Sequence, residues 1–210
     1  MLVGLGSGST ADFATRELGA RVGKGLQILA VPTSERTAAL ARQLRIPLAT
    51  LEEYPRLDLT IDGADELLLP SLSAIKGLGG ALLREKIVAL ASEIHLLIVD
   101  ESKVVQSLGQ RTPVPVEVVP FGWGQTTAAL QKLGCHTTMR HDKARKPYQT
   151  DSGNYLIDCK FPVIDHPSAL AAGIKAITGV VEHGIFVNIA SRAIVASPSG
   201  ITNYELQITN

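Results

Sequence analysis

Four short segments carry residue types that could do chemistry together. In Gly4-Leu5-Gly6-Ser7-Gly8-Ser9-Thr10 the glycines expose backbone N–H groups between a strand-like and a helix-like stretch, a place that suits a phosphate. The hydroxyls of Ser9 and Thr10 add donors. No lysine follows, which excludes a Walker loop. Ser9 stands where a third glycine would be needed, and no acid closes the next strand near Val31, which speaks against a dinucleotide fingerprint. The same glycines would equally serve a plain tight turn. Asp62-Gly63-Ala64-Asp65-Glu66 puts three acids just beyond an apolar run, where open α/β sheets bind ligands. The acids lack the alternating spacing of a calcium loop, and the alternative is a solvated turn. Lys76-Gly77-Leu78-Gly79-Gly80 leads into a helix, so exposed amides and one cation could meet an oxyanion. Glu85 follows in that helix, where a lone glutamate is ordinarily solvated. Asp100-Glu101-Ser102-Lys103 again follows a strand, which puts Lys103 in reach of the same phosphate and Asp100 in reach of the same pocket.

Elements of regular structure must hold these segments in place. Short apolar runs at Leu2 to Leu5, Leu26 to Val31, Pro47 to Leu51, Leu57 to Ile61 and His95 to Val99 predict strands. Between them Thr10 to Leu18, Glu35 to Leu44 and Ala81 to Ser92 predict helices, with side-chain caps from Ser9 and Ser34. That alternation implies βα units around a parallel sheet. From Thr112 the texture changes. Pro113 to Pro120, His136 to Arg140, Tyr155 to Phe161 and Val180 to Val187 predict strands, and Gln125 to Leu133 and Ser168 to Ile177 predict helices. This βαββαβ order is that of a ferredoxin-like unit. A further strand-like run, Ser191 to Ala196, could rejoin the first sheet. The fold expected is therefore a Rossmann-like parallel-sheet domain, residues 1–112 and 187–210, with an inserted ferredoxin-like α+β domain, residues 113–186. The last ten residues, from Ile201, resemble a polar tail.

Twenty basic side chains balance twenty acidic ones, which argues against nucleic acid or an anionic membrane as a partner. Apolar residues make up 45% of the chain, but in short runs, none near the roughly 20 residues a membrane span needs. A soluble protein is expected. Cys135 and Cys159 form no zinc or disulfide pattern, which fits a reducing cytosol. The five histidines show no metal-ligand pairing, Trp123 suits packing, and Arg140, His141, Lys143, Arg145 and Lys146 suit a solvated loop.

Together these segments resemble the type A ribose-5-phosphate isomerases. The resemblance runs through VGLGSGSTA at Val3 to Ala11, IDGADE at Ile61 to Glu66 and KGLGGALLREK at Lys76 to Lys86. It continues in DESK at Asp100 to Lys103, PVEVVP at Pro115 to Pro120 and DSGNYLID at Asp151 to Asp158. It implies an aldose-ketose isomerisation in the pentose phosphate pathway, with no metal or other cofactor, in a cytoplasmic homo-oligomer, a dimer or tetramer. It implies that Glu85 moves the proton between C1 and C2, that Asp62 and Asp65 serve ring opening and hydroxyl binding, and that Lys76 steadies the oxyanion. Ser9, Thr10 and Lys103 would hold the phosphate, with Ser7, Gly8, Thr33, Ser34, Gly77, Gly79 and Gly80 as further substrate contacts. Leu78 interrupts a glycine run of the family, and its side chain is expected to point outward. A sugar-phosphate sensor is a rival reading, although no helix-turn-helix precedes Leu2. A related deaminase or lactonase is another, although no histidine falls in the four motifs.

Overall fold

The computed structural model describes residues 1–206. In chain order, β1 (Leu2–Leu5), α1 (Ser9–Val22), β2 (Leu29–Pro32), α2 (Glu35–Gln43) and β3 (Leu57–Asp62) lead into two short strands, β4 (Glu66–Leu68) and β5 (Ser73–Ile75). Then come α3 (Leu82–Leu90), β6 (Ser92–Asp100) and β7 (Val104–Val105). The next segment holds β8 (Val114–Val118), α4 (Trp123–Gln131), β9 (His136–Met139), β10 (Tyr155–Lys160), α5 (Pro167–Lys175) and β11 (Val180–His183). The described chain closes with β12 (Ile185–Phe186), β13 (Arg192–Ser197) and β14 (Gly200–Glu205).

The main sheet has the order β14-β13-β6-β3-β1-β2 and is parallel except for β14. Its strands alternate with helices because the apolar runs are short and the intervening stretches carry apolar residues at helical spacing. The inserted segment forms an antiparallel sheet, β11-β8-β10-β9, whose fourth strand lies beside its first, as in ferredoxin-like units. Its core, including Val114, Val116, Leu130, Ile157 and Ile174, is continuous with Ile75, Val105 and Ile185 of a third sheet, β12-β5-β4-β7. That small sheet joins the two larger units. It was not expected, since runs of two or three residues are too short to show a period.

Other expectations also fail for physical reasons. Pro47 to Leu51 contributes only a single bridge, Leu48 to Ala30, because Thr50 folds into a turn with its N–H and hydroxyl both donating to the Glu53 carboxylate. The expected strand Val180 to Val187 breaks at Gly184 and serves two sheets. A Cβ there would lie 2.1 Å from the Lys76 carbonyl oxygen, so only glycine can pass. The expected polar tail instead forms β14, an exposed antiparallel edge strand paired with β13; residues 207–210 lie outside the described part. Its polar side chains suit an edge that faces water. Ser34 caps α2 as expected, accepting from the Thr37 N–H, but Ser9 does not cap α1. Gly8 occupies the cap position without a side-chain bond, which leaves the first N–H groups of α1 open.

Candidate active site

The glycine-rich turn between β1 and α1 is braced from behind. The Ser7 hydroxyl lies 2.8 Å from those of Thr33 and Ser34 and 3.1 Å from that of Thr37. Thr33 donates onward to the Leu5 carbonyl and Thr37 to that of Gly6. Thr33 and Ser34 thus shape the turn without reaching the cleft, and Ser34 borders a separate groove of about 540 Å³ between α2 and α3. The cleft itself, about 80 Å³, is walled by Ser7, Gly8, Ser9, Thr10, Gly63, Ala64, Asp65, Lys76, Gly77, Gly79, Glu85 and Lys103. All four motifs meet there. The uncapped start of α1 faces it, and a helix N-terminus attracts an anion. Lys103 arrives on a single 3-10 turn, Glu101–Lys103. Asp100, expected at the pocket, is exposed and accepts from the Ser102 N–H instead. Gly63 and Ala64 are wall residues that the sequence reading passed over, although they lie inside the acidic motif.

Asp62, Lys76 and Glu85 are buried together, at 0%, 2% and 3% exposure; Lys76 and Glu85 line the cleft, and Asp62 stands behind its wall. Lys76 Nζ lies 2.9 Å from Asp62 Oδ2 and 3.4 Å from Glu85 Oε2, donates to the Gly63 carbonyl, and sits 5.5 Å from the centre of the Phe186 ring. Burial raises the pKa of both carboxyls. Asp62 has help against that rise, since Lys76 pairs with it and the N–H groups of Gly63 and Ser7 donate to it. Glu85 has only the ammonium, which faces both Glu85 Oε2 and Asp62 Oδ2 without hydrogen-bond alignment. Burial, eased by Lys76 but reinforced by the charges of Asp62 and Asp65, pushes Glu85 up to about 8. Burial alone would lower Lys76, but Asp62 and Glu85 overturn that and keep it protonated above its ordinary value. Asp65, also raised by burial, accepts the Leu78 N–H at 2.9 Å.

Leu78 is compatible with its loop because the positive φ angles fall on Gly77 (100°) and Gly80 (88°). Its side chain is 40% exposed, as expected. Gly80 lies against the Tyr148 ring rather than in the cleft wall. Arg140, expected in a solvated loop, is instead largely buried and bonded to the carbonyls of Gly77 and Leu78. Nothing local signals this, since its partners lie more than sixty positions away in sequence. Glu66, third acid of its motif, is a structural anchor that accepts the N–H groups of Gly109, Arg111 and Thr112. Among the described residues no three His, Cys, Asp or Glu side chains are grouped to hold a metal ion. No histidine lines the cleft. His95 is buried behind Phe186, where burial and then the Lys76 charge push it down to about 3, so it stays neutral.

A parallel sheet with a cleft of acids, lysines and open helix amides beyond its strand ends defines an α/β enzyme that takes a small anionic ligand. The family model described as ribose 5-phosphate isomerase A (phosphoriboisomerase A) matches residues 29–200. The chain belongs to that family. A protein named ribose-5-phosphate isomerase A from Synechococcus sp. (strain JA-3-3Ab) is 55% identical over 202 residues, 96% of this chain and 88% of the relative. One from Roseiflexus castenholzii is 51% identical over 207 residues, 98% of this chain and 88% of the relative. The solved ribose 5-phosphate isomerase A of Methanocaldococcus jannaschii superposes with a TM-score of 0.94 at 40% identity, covering 98% of this chain and 91% of that one. A D-ribose-5-phosphate isomerase in complex with phospho-erythronic acid gives 0.94 at 38%, covering 98% and 90%.

Proposed function

We infer that this chain interconverts ribose 5-phosphate and ribulose 5-phosphate, a step of the pentose phosphate pathway. Family membership supports the reaction. The observation that carries the residue assignment is Glu85: a buried carboxyl on the cleft wall, held by one ammonium and poised near neutral pH. A proton on carbon beside a carbonyl is weakly acidic, so its removal needs a positioned base and a stabilised enediolate. Glu85 takes the proton from C2. Negative charge then spreads onto O1, where Lys76 and the amide of Gly79 oppose it. Return of the proton to C1, with passage of the O2 proton to O1, gives the ketose. Asp65, on the cleft wall, binds hydroxyls and assists ring opening, and Asp62, behind the wall, takes part through Lys76. The phosphate sits on the open amides of Gly8, Ser9 and Thr10 with Lys103 beside them, Ser7 shapes that turn, and Thr33 and Ser34 act through Ser7.

On the same reading the protein is a cytoplasmic homo-oligomer, a dimer or tetramer, and residues 113–186 form the inserted unit. The two cysteines, both free and buried, fit a reducing compartment. Light scattering of the purified protein measures the assembly. The function is tested by following ribulose 5-phosphate from ribose 5-phosphate in the presence of a chelator. Turnover is expected, and its absence from folded protein overturns the reading.

A further inference from the structure

Arg140 follows β9 in the inserted domain, yet its guanidinium ends at the catalytic loop. Nε donates to Asp158 Oδ2 at 2.9 Å and Nη2 to Asp158 Oδ1, a two-pronged pair across to β10. Nη1 donates to the carbonyls of Gly77, at 3.1 Å, and Leu78, at 2.9 Å. The planar fork is therefore fixed on one side by a carboxylate and presents its remaining edge to two successive peptide oxygens, a geometry that a lysine cannot reproduce.

The consequence lies on the other side of those peptides. In a trans peptide the C=O and N–H point in opposite directions. With the Gly77 carbonyl on Arg140, the Leu78 N–H points away and reaches Asp65. With the Leu78 carbonyl on Arg140, the Gly79 N–H is likewise turned away, and Gly79 is part of the cleft wall. The Gly80 N–H closes a turn on the Gly77 carbonyl at 3.0 Å with Leu78 and Gly79 at its centre, and because Gly79 tolerates either sign of φ, a flip of the Leu78–Gly79 peptide is sterically cheap. Such a flip would aim a carbonyl oxygen at the place where negative charge develops. We propose that Arg140, braced by Asp158, is a positioning residue that locks this peptide with its N–H facing the enediolate. The inserted domain thereby supplies part of the chemistry without touching the substrate.

This proposal rests on the isomerase reading, and its test separates the two. Arg140→Met, Arg140→Lys and Asp158→Asn are compared with the unaltered protein in kcat and KM for ribose 5-phosphate. Affinity is measured for phospho-erythronate, whose carboxylate imitates the charged reacting end, and for inorganic phosphate, which probes the anchor alone. Loss of a single aligned oxyanion donor costs about 10² to 10³-fold, so a loosened one is expected to cost kcat about 10 to 10²-fold in Arg140→Met. Arg140→Lys and Asp158→Asn should fall between that variant and the unaltered protein. KM and inorganic phosphate affinity should hold, while phospho-erythronate affinity falls with kcat. A purely structural bridge would lower the melting temperature and weaken both anions together, and that result overturns the proposal. So does a kcat in folded Arg140→Met close to that of the unaltered protein. Should Arg140→Met not fold, the other two variants decide by the same criteria. Absence of turnover in the unaltered protein condemns the isomerase reading alone, since the ratio of the two anion affinities still reports the loop.

Discussion

Lys76 and Lys86 are both buried, at 2% and 7% exposure, and both lie against Phe186, at 5.5 and 4.7 Å from the ring centre. They differ in what their partners have left over. An ammonium offers three donors, and Lys86 places them on Glu182 Oε1 at 2.8 Å, the His183 carbonyl at 2.6 Å and the Ile185 carbonyl at 3.0 Å. Glu182 is itself saturated. Burial opposes its ionisation, but hydrogen bonds from Lys175 and Lys86 bring it down to about 2. Lys76 instead shares one charge between two carboxyls, and Glu85 is left with spare acceptor capacity on the wall of the cleft. A saturated buried lysine ties elements together, and an oversubscribed one leaves a neighbour free to react.

The largest effect should come from the group left free. Glu85→Gln keeps size and polarity but cannot take a proton, so kcat should fall about 10² to 10⁴-fold while substrate still binds. Solvent deuterium should cease to enter the sugar. Normal turnover or exchange in that variant would move the base to Asp62 or Asp65.

A third lysine sharpens the contrast from the cleft mouth. Lys103→Ala should raise KM for ribose 5-phosphate about 10-fold, the worth of one charge-assisted bond, with kcat nearly kept. Equal binding of ribose and its phosphate would remove the anchor from the account.

Lys86→Met tests the other side. It takes from Glu182 one of its two lysine partners and leaves the His183 and Ile185 carbonyls without theirs, so the melting temperature should drop, each kcal/mol lost costing about 2–4 °C in a chain of this size. The folded fraction should turn over at close to the normal rate. An unchanged melting temperature with a large loss of kcat would break the comparison.

A last contrast concerns pH. Glu85 moves from an ordinary 4.5 to about 8 in the folded protein. In the unfolded chain it ionises first, so its contribution to stability is intact below about pH 4.5 and is lost as pH rises to about 8. Glu85→Gln escapes that loss. Its melting temperature should match the unaltered protein near pH 4 and exceed it increasingly up to pH 8. In the active protein, kcat/KM should rise with pH toward a limb set by the same group.

That Glu85, Lys76 and Asp62 come together was legible because each sits in a short motif at a strand end or helix start, while the roles expected of them came from the family resemblance and await the substitutions above. The roles of Arg140 and Glu66 were not legible, because their hydrogen-bond partners are remote in sequence and loop charges ordinarily face water. Asp100 misled for the converse reason. A correct position at a strand end does not decide which way a side chain turns, and a local bond to the Ser102 N–H took it out of the cleft. In the same way β14 was hidden, since an edge strand open to water needs no apolar alternation.

The crossing at Gly184 has a consequence for synthesis. Its carbonyl accepts the Lys76 N–H, and the residues beside it receive Lys86 from 97 and 99 positions upstream. At translation rates of about 5–20 residues per second, the segment that closes behind the cleft leaves the ribosome roughly 5–20 s after the motifs it supports. During that interval the four motifs are already outside, while the Lys76 N–H and the Lys86 ammonium still lack the carbonyls of residues 183–185. The packing behind the cleft is completed late, when the return at Gly184 brings those carbonyls in.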